Sequence, residues 1–154
     1  MVIPWLVVGA LASGVASVAF LRYLWAYRTK PGARFFIATI ACEALWSVSY
    51  GAALLVFDPR LRQVMEIPIW LAINFIGVFF LAFALEYTGR AGLLRSKLMA
   101  GIVSLQVLHT LIVVTNPIHH VAWSNYRIEP VFGLATVAYS HQPWLFVNAA
   151  GFVL

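Results

Sequence analysis

The sequence predicts an all-α, polytopic transmembrane helix bundle, with four full helices, part of a fifth, and a short β-hairpin in the outer loop between helices four and five. Three observations predict it. Of 154 residues, 63% are hydrophobic and 10% charged, far from the balance of a soluble domain. The apolar residues gather into long runs, among them 19 charge-free residues at 67–85, close to the roughly 20 that cross a bilayer's hydrocarbon core. The Lys and Arg residues cluster at the ends of these runs rather than along a polar face, so the formal charge of +5 reports contact with a lipid bilayer and not with nucleic acid.

The first helix spans about residues 2–27, with no charge until Arg22 and with Arg28, Lys30 and Arg34 following. Basic residues after the apolar run place the N-terminus outside, and their absence before it argues for a retained signal anchor over a cleaved signal peptide. Gly9, Ser13 and Ser17 are spaced by four, as are Ala10 and Gly14, so one face admits another helix at close range. Packing within the bundle is expected; a homodimer is the alternative use of that face.

Lys30, Pro31 and Gly32 turn the chain into the second helix, about 35–57, which stops at Asp58 and Pro59. Its one charge is Glu43. Near the bilayer centre a charged side chain costs about 2.5–3.5 kcal/mol on insertion scales, so Glu43 requires protonation, a partner or a polar surrounding. Thr39, Glu43, Ser47 and Tyr50 recur at helical spacing and draw a polar stripe. Two readings stand: a hydrogen-bonded bundle interior, or a proton-sensitive or ligand-sensing site.

Arg60 and Arg62 precede the third helix, about 64–87, with Glu66 and Pro68 in its expected first turn, where a carboxylate suits the helix dipole. Glu66, Trp70 and Asn74 share a face, and Asn74 is expected to join the stripe of helix two. Glu86, Tyr87, Gly89 and Arg90 mark the exit. After Arg90, Arg95 and Lys97 the fourth helix, about 98–115, carries Gln106, His109 and Thr110 on one face. His109 is read as buried, either as a hydrogen-bonded interior histidine or as a pH sensor. Seven of ten Lys and Arg flank the inner ends of this arrangement, while Arg60, Arg62 and Arg127 lie outside, which favours a multi-pass plasma-membrane topology with the N-terminus out.

Residues 116–142 form the longest non-helical segment. Two runs, 121–128 and 134–140, flank Glu129, Pro130 and Gly133, as a hairpin lid over the bundle mouth would. His119, His120 and His141 bracket it, and three imidazoles brought together bind zinc or copper. Neighbouring histidines diverge and neither Cys nor Asp joins them, so no metal and no cofactor is expected, with these three as the alternative. Cys42 stands alone in an apolar run, which excludes a disulfide within the chain. The last segment, 143–154, is too short to cross the core unaided, and the expectation is a piece of a longer membrane protein.

Phe83-Ala84-Leu85-Glu86-Tyr87-Thr88-Gly89-Arg90, then Thr115-Asn116-Pro117-Ile118-His119-His120 with Trp123, then Tyr139, His141, Pro143 and Trp144, resemble the N-terminal seven-transmembrane sensor region of prokaryotic histidine kinases. Lys30-Pro31-Gly32-Ala33, Leu45-Trp46 and Tyr50-Gly51 fit the same pattern, and the similarity runs the length of the chain. The resemblance implies a membrane input domain occupying residues 1–154, followed by cytoplasmic signalling domains of the same polypeptide, often an ATP-dependent kinase core and sometimes a diguanylate cyclase. It supplies no binding residue. No ATP-binding motif, phosphoacceptor helix or catalytic residue is found in the sequence, and the sites proposed from it are Glu43, Ser47, Tyr50, Asn74 and His109. The competing class is a transporter or a membrane-embedded metal-dependent enzyme. A retinal protein is disfavoured because the two lysines, Lys30 and Lys97, fall in loops.

Overall fold

The computed structural model describes residues 5–141 and Pro143. Four helices follow one another, α1 (Trp5–Leu24), α2 (Ala33–Ala53), α3 (Pro59–Tyr87) and α4 (Lys97–His119), and an antiparallel hairpin of β1 (Trp123–Val131) and β2 (Leu134–His141) closes one end. Each helix is long and apolar enough to cross a membrane. Apart from Pro143, the expected helix over 143–154 lies outside the described residues.

The helix ends follow from local chemistry. Asp58 takes the extended N-cap conformation of α3 and accepts from Leu61 N at 2.8 Å, with Pro59 in the first turn, where its missing N–H costs nothing. Helix α3 therefore starts five residues before the expected 64. Glu66 and Pro68 consequently sit two turns or more inside it, not in the first turn. Pro68 deprives the Val64 carbonyl of its helical donor. Helix α2 covers Ala33–Ala53 rather than 35–57, because Leu54–Val56 leave it through short-range turns. Helix α4 runs on from the expected 115 to His119, since Pro117 falls in its last turn and His120 caps it at φ 55°.

Close approach of α1 to α2 depends on Gly14. A Cβ there would stand 2.5 Å from Val48 Cγ2 and 3.3 Å from the Val48 nitrogen. At the other end Gly32, at φ 78°, starts α2 with its Cα turned toward Phe83 of α3, where a Cβ would meet the ring at 2.9 Å. Gly14→Ala should lower thermal stability in detergent by the equivalent of about 1–3 kcal/mol, the range for overpacking, and Val48→Ala in the same protein should recover most of it.

The hairpin turns at Phe132 and Gly133, both at positive φ (52° and 79°), which is the two-residue turn whose twist matches paired strands. A register shift between Ser124 and Arg127, with Asn125 at φ 54°, bends β1. Packing at both ends holds the hairpin to the helices. Ala135 N donates to Leu54 O at 2.7 Å while Leu134 packs with Val7 and Leu54, and Trp123 with Ala122 packs on Val113 of α4. The far end of the bundle closes over Val78, Ala82 and Met99.

Candidate functional site

Hydrogen-bonded polar groups gather in two separate places, the first partly exposed and the second buried. The first lies midway along α2, where Ser13 and Ser17 of α1 and Ser47 of α2 all donate to the Glu43 carboxylate, Ser13 at 2.9 Å and Ser47 at 3.0 Å. The four-residue spacing of the two α1 serines puts them side by side on the face that meets α2. Tyr50, two turns further on, stacks against Trp46 at 6.0 Å between centroids and is not part of this group.

The second place lies beneath the hairpin. Arg62 and Glu66, one turn apart on α3, form an ion pair at 2.5 Å with side chains 3% and 8% exposed. Trp70 Nε1 donates to the other carboxylate oxygen at 3.1 Å, and the Tyr126 hydroxyl from β1 reaches Glu66 at 3.5 Å. Burial, reinforced by the Glu66 charge, pushes the Tyr126 and Tyr139 hydroxyls up from their ordinary value, so both stay protonated and Tyr126 remains a donor. The Trp70 ring lies 5.8 Å from that of His109 on α4 and stacks on Trp123 at 5.7 Å, which in turn meets Tyr139 at 5.5 Å. Helix α3, helix α4 and both strands thus converge on one aromatic stack with a charged pair at its edge.

Asn74 belongs to this second side. Its Nδ2 donates to Thr110 Oγ1 of α4 at 2.9 Å, and neither it nor His109 shares a hydrogen bond with Glu43 or Ser47. The single seam expected from the sequence is therefore divided: Asn74 turns to Thr110 of α4, Glu66 and Trp70 line a cleft with Trp46 and Tyr50 of α2, and none of the three shares a hydrogen bond with Glu43 or Ser47. Asn74 and His109 are fully buried.

Of the histidines bracketing the hairpin, His119 is engaged within the chain. Its Nδ1 accepts from Val121 N at 3.0 Å and its Nε2 pairs with Thr115 Oγ1 at 2.9 Å, whose own proton goes to Leu111 O. Those contacts fix the neutral tautomer with hydrogen on Nε2. Among the described residues no group of three His, Cys, Asp or Glu side chains is placed to hold a metal ion, and the His141 side chain is not among those described.

The family model for the N-terminal 7TM region of histidine kinase matches residues 10–154. The chain belongs to that family. No curated protein and no solved structure matches it. In this histidine kinase region, a multi-pass plasma-membrane input domain, the residues that carry the resemblance occupy two corners. At the first, Thr88 returns its hydroxyl to Ala84 O at 2.8 Å, Gly89 takes φ 75°, and Glu86 meets Arg34 at 3.4 Å. At the second, Asn116 accepts from Ala122 N (2.8 Å) and Trp123 N (3.3 Å) and donates to Trp123 O (3.0 Å), fastening the start of the hairpin to the end of α4. Sequence reasoning named Arg62, Glu66 and Trp70 only as flanking or facing residues and did not single out Tyr126. The four-residue spacing of the first three was the available signal, and the hairpin that buries them was not.

Proposed function

We propose that this region is the signal-sensing part of a sensor histidine kinase, receiving a stimulus at the hairpin end and passing it through the bundle to cytoplasmic domains of the same polypeptide. Membership of the histidine kinase 7TM family carries the reading. It is supported by the buried links that tie the hairpin to both α3 and α4, because a stimulus acts only through a difference in affinity between two packings, and those links are where packing joins the lid to the spans. In this reading the N-terminus and hairpin face outward. Seven of the ten Lys and Arg (Arg22, Arg28, Lys30, Arg34, Arg90, Arg95, Lys97) gather at the opposite end, as the positive-inside rule requires.

Autophosphorylation of the full-length protein in nanodiscs, with and without the native membrane extract as stimulus source, tests the reading. Glu43→Gln and His109→Ala should each shift the stimulated-to-basal ratio at least about threefold, since Glu43 takes hydrogen bonds from two serines of α1 and the His109 ring lies against Trp70 of α3. An unchanged ratio in both would remove these groups from signalling. Proton-stimulated solute uptake by the same preparation, without phosphorylation, would overturn the sensory reading. Labelling of single cysteines at 132 and 92 by an impermeant reagent tests orientation: only 132 should react from outside.

A further inference from the structure

Between α3 and α4, on the hairpin side of the Asn74 to Thr110 hydrogen bond, opens a cavity of about 270 Å³. Its lining is graded. Val64 and Ile67 of α3 with Val113 and Val114 of α4 make an apolar slot beside the start of the charge-free run at 67–85. Arg60, Gln63, His120 and Asn125 make the mouth, at the ends of the helices and the start of β1. The side chains of Arg60, Gln63 and His120 bond to no group among the described residues. No Asp or Glu among those residues lines the cavity, and the carboxylate nearest in sequence, Asp58, is turned to Leu61 N. Arg60 stands in the first turn of α3, whose positive end adds to its charge, while the opposing end of α4 has its Asn116 carbonyl occupied by His120 N. What the cavity offers a guest is therefore one guanidinium with neutral donors beside it, above an apolar slot at the depth where the spans enter lipid.

We propose that this cavity binds a fatty acid, its carboxylate paired with Arg60 and the first part of its chain lying in the valine and isoleucine slot. Polarity selects the class, because only a guest that is polar at one end and apolar at the other leaves neither part of the lining mismatched. Charge selects the head. One guanidinium pairs with one carboxylate through two parallel hydrogen bonds, whereas a phosphate monoester brings about −1.5 to −2 and leaves charge uncompensated at the membrane edge. Size selects a single chain: about 270 Å³ lies just under the roughly 300–1,000 Å³ of small-molecule sites, room for a head and the start of one chain but not of two. The remainder of the chain continues into the bilayer past Val64 and Val114, which are exposed at the edges of the slot. Such a guest touches α3, α4 and, at Asn125, β1 together. Its role as stimulus rests on the sensory reading; its binding does not.

The test is equilibrium binding of radiolabelled laurate to the full-length protein in phosphatidylcholine nanodiscs, empty nanodiscs serving as the blank. Saturable laurate binding is expected, with dodecanol and dodecyltrimethylammonium each about tenfold weaker or more as competitors, and with no displacement by acetate, which has the head without the chain. Arg60→Gln should weaken laurate about tenfold while leaving dodecanol unchanged, and Arg60→Lys, which keeps the charge but not the paired hydrogen bonds, should fall between. Val114→Trp fills the slot from an exposed position, adds no bulk to the bundle's interior, and should abolish binding of laurate and dodecanol alike. Absence of saturable laurate binding to the unaltered protein would overturn the proposal. So would dodecanol or dodecyl phosphate competing as well as laurate, displacement by acetate, or binding indifferent to both Arg60→Gln and Val114→Trp. Laurate that binds as described but leaves autophosphorylation unchanged would confirm the site and count against the sensory reading instead.

Discussion

Glu66→Ala should destabilise the hairpin end by about 3–5 kcal/mol, because it leaves the Arg62 guanidinium buried without its counter-charge. The loss exceeds that of an exposed ion pair, which contributes about 0–1 kcal/mol. Arg34 with Glu86 supplies the internal contrast: the arginine side chain is 68% exposed and the glutamate 20%, so Glu86→Ala leaves a solvated guanidinium and should cost clearly less. Replacing both buried partners, Arg62→Met with Glu66→Leu, should recover most of the stability, since no unpaired charge remains. Recovery should stop short of complete because Trp70 Nε1 and the Tyr126 hydroxyl lose their acceptor, worth about 1–3 kcal/mol when such a donor stays buried. Thermal unfolding in detergent followed by tryptophan fluorescence reads all three proteins. A single substitution as mild as Glu86→Ala would mean that water reaches the pair.

Asn116→Ala should release the hairpin while leaving the four spans assembled. One side chain satisfies two backbone N–H groups and one carbonyl, all in a buried corner, and its removal strands all three. At about 1–3 kcal/mol for each unsatisfied buried group, the local loss is on the order of 3–6 kcal/mol after relaxation. Hydrogen exchange at Ala122 and Trp123 should accelerate at least about a hundredfold, with α2 and α3 amides unchanged. Asn116→Asp keeps the acceptor for both N–H groups and loses only the donor to Trp123 O, so it should fall between. Equal protection in all three proteins would place the anchoring elsewhere, in the aromatic stack or in the Ala135 to Leu54 hydrogen bond.

The spans were legible because a run such as residues 67–85 has no alternative environment to lipid, and the hairpin because Gly133 with flanking apolar runs marks a turn. Helix ends were less so. Asp58 and Pro59 read equally well as the stop of α2 and the start of α3, and only the Asp58 to Leu61 bond assigns them to α3. Which neighbour a polar face meets was legible only in part. Spacing groups Glu66 with Trp70 and Asn74, yet rotation of α3 about its axis is set by packing on both sides, and that brings Asn74 to Thr110 of α4 while Glu66 and Trp70 meet the strands and the Trp46 and Tyr50 side of α2. The burial of Arg62 followed the same pattern: an i, i+4 pair in sequence becomes an interior pair only when Tyr126 and Tyr139 arrive from 60 or more positions away.

The three serines around Glu43 bear on how the protein is made. Emerging alone from the translocon, α2 would carry an unaccompanied carboxylate into lipid at about 2.5–3.5 kcal/mol, enough to leave its membrane partition poorly decided. Two of the three hydroxyls that relieve this belong to α1, which is synthesised first. The second span is thus provided for by the first, and the two should enter lipid as a pair: disabling Ser13 and Ser17 together would be felt first as failed integration of a span that itself carries no change.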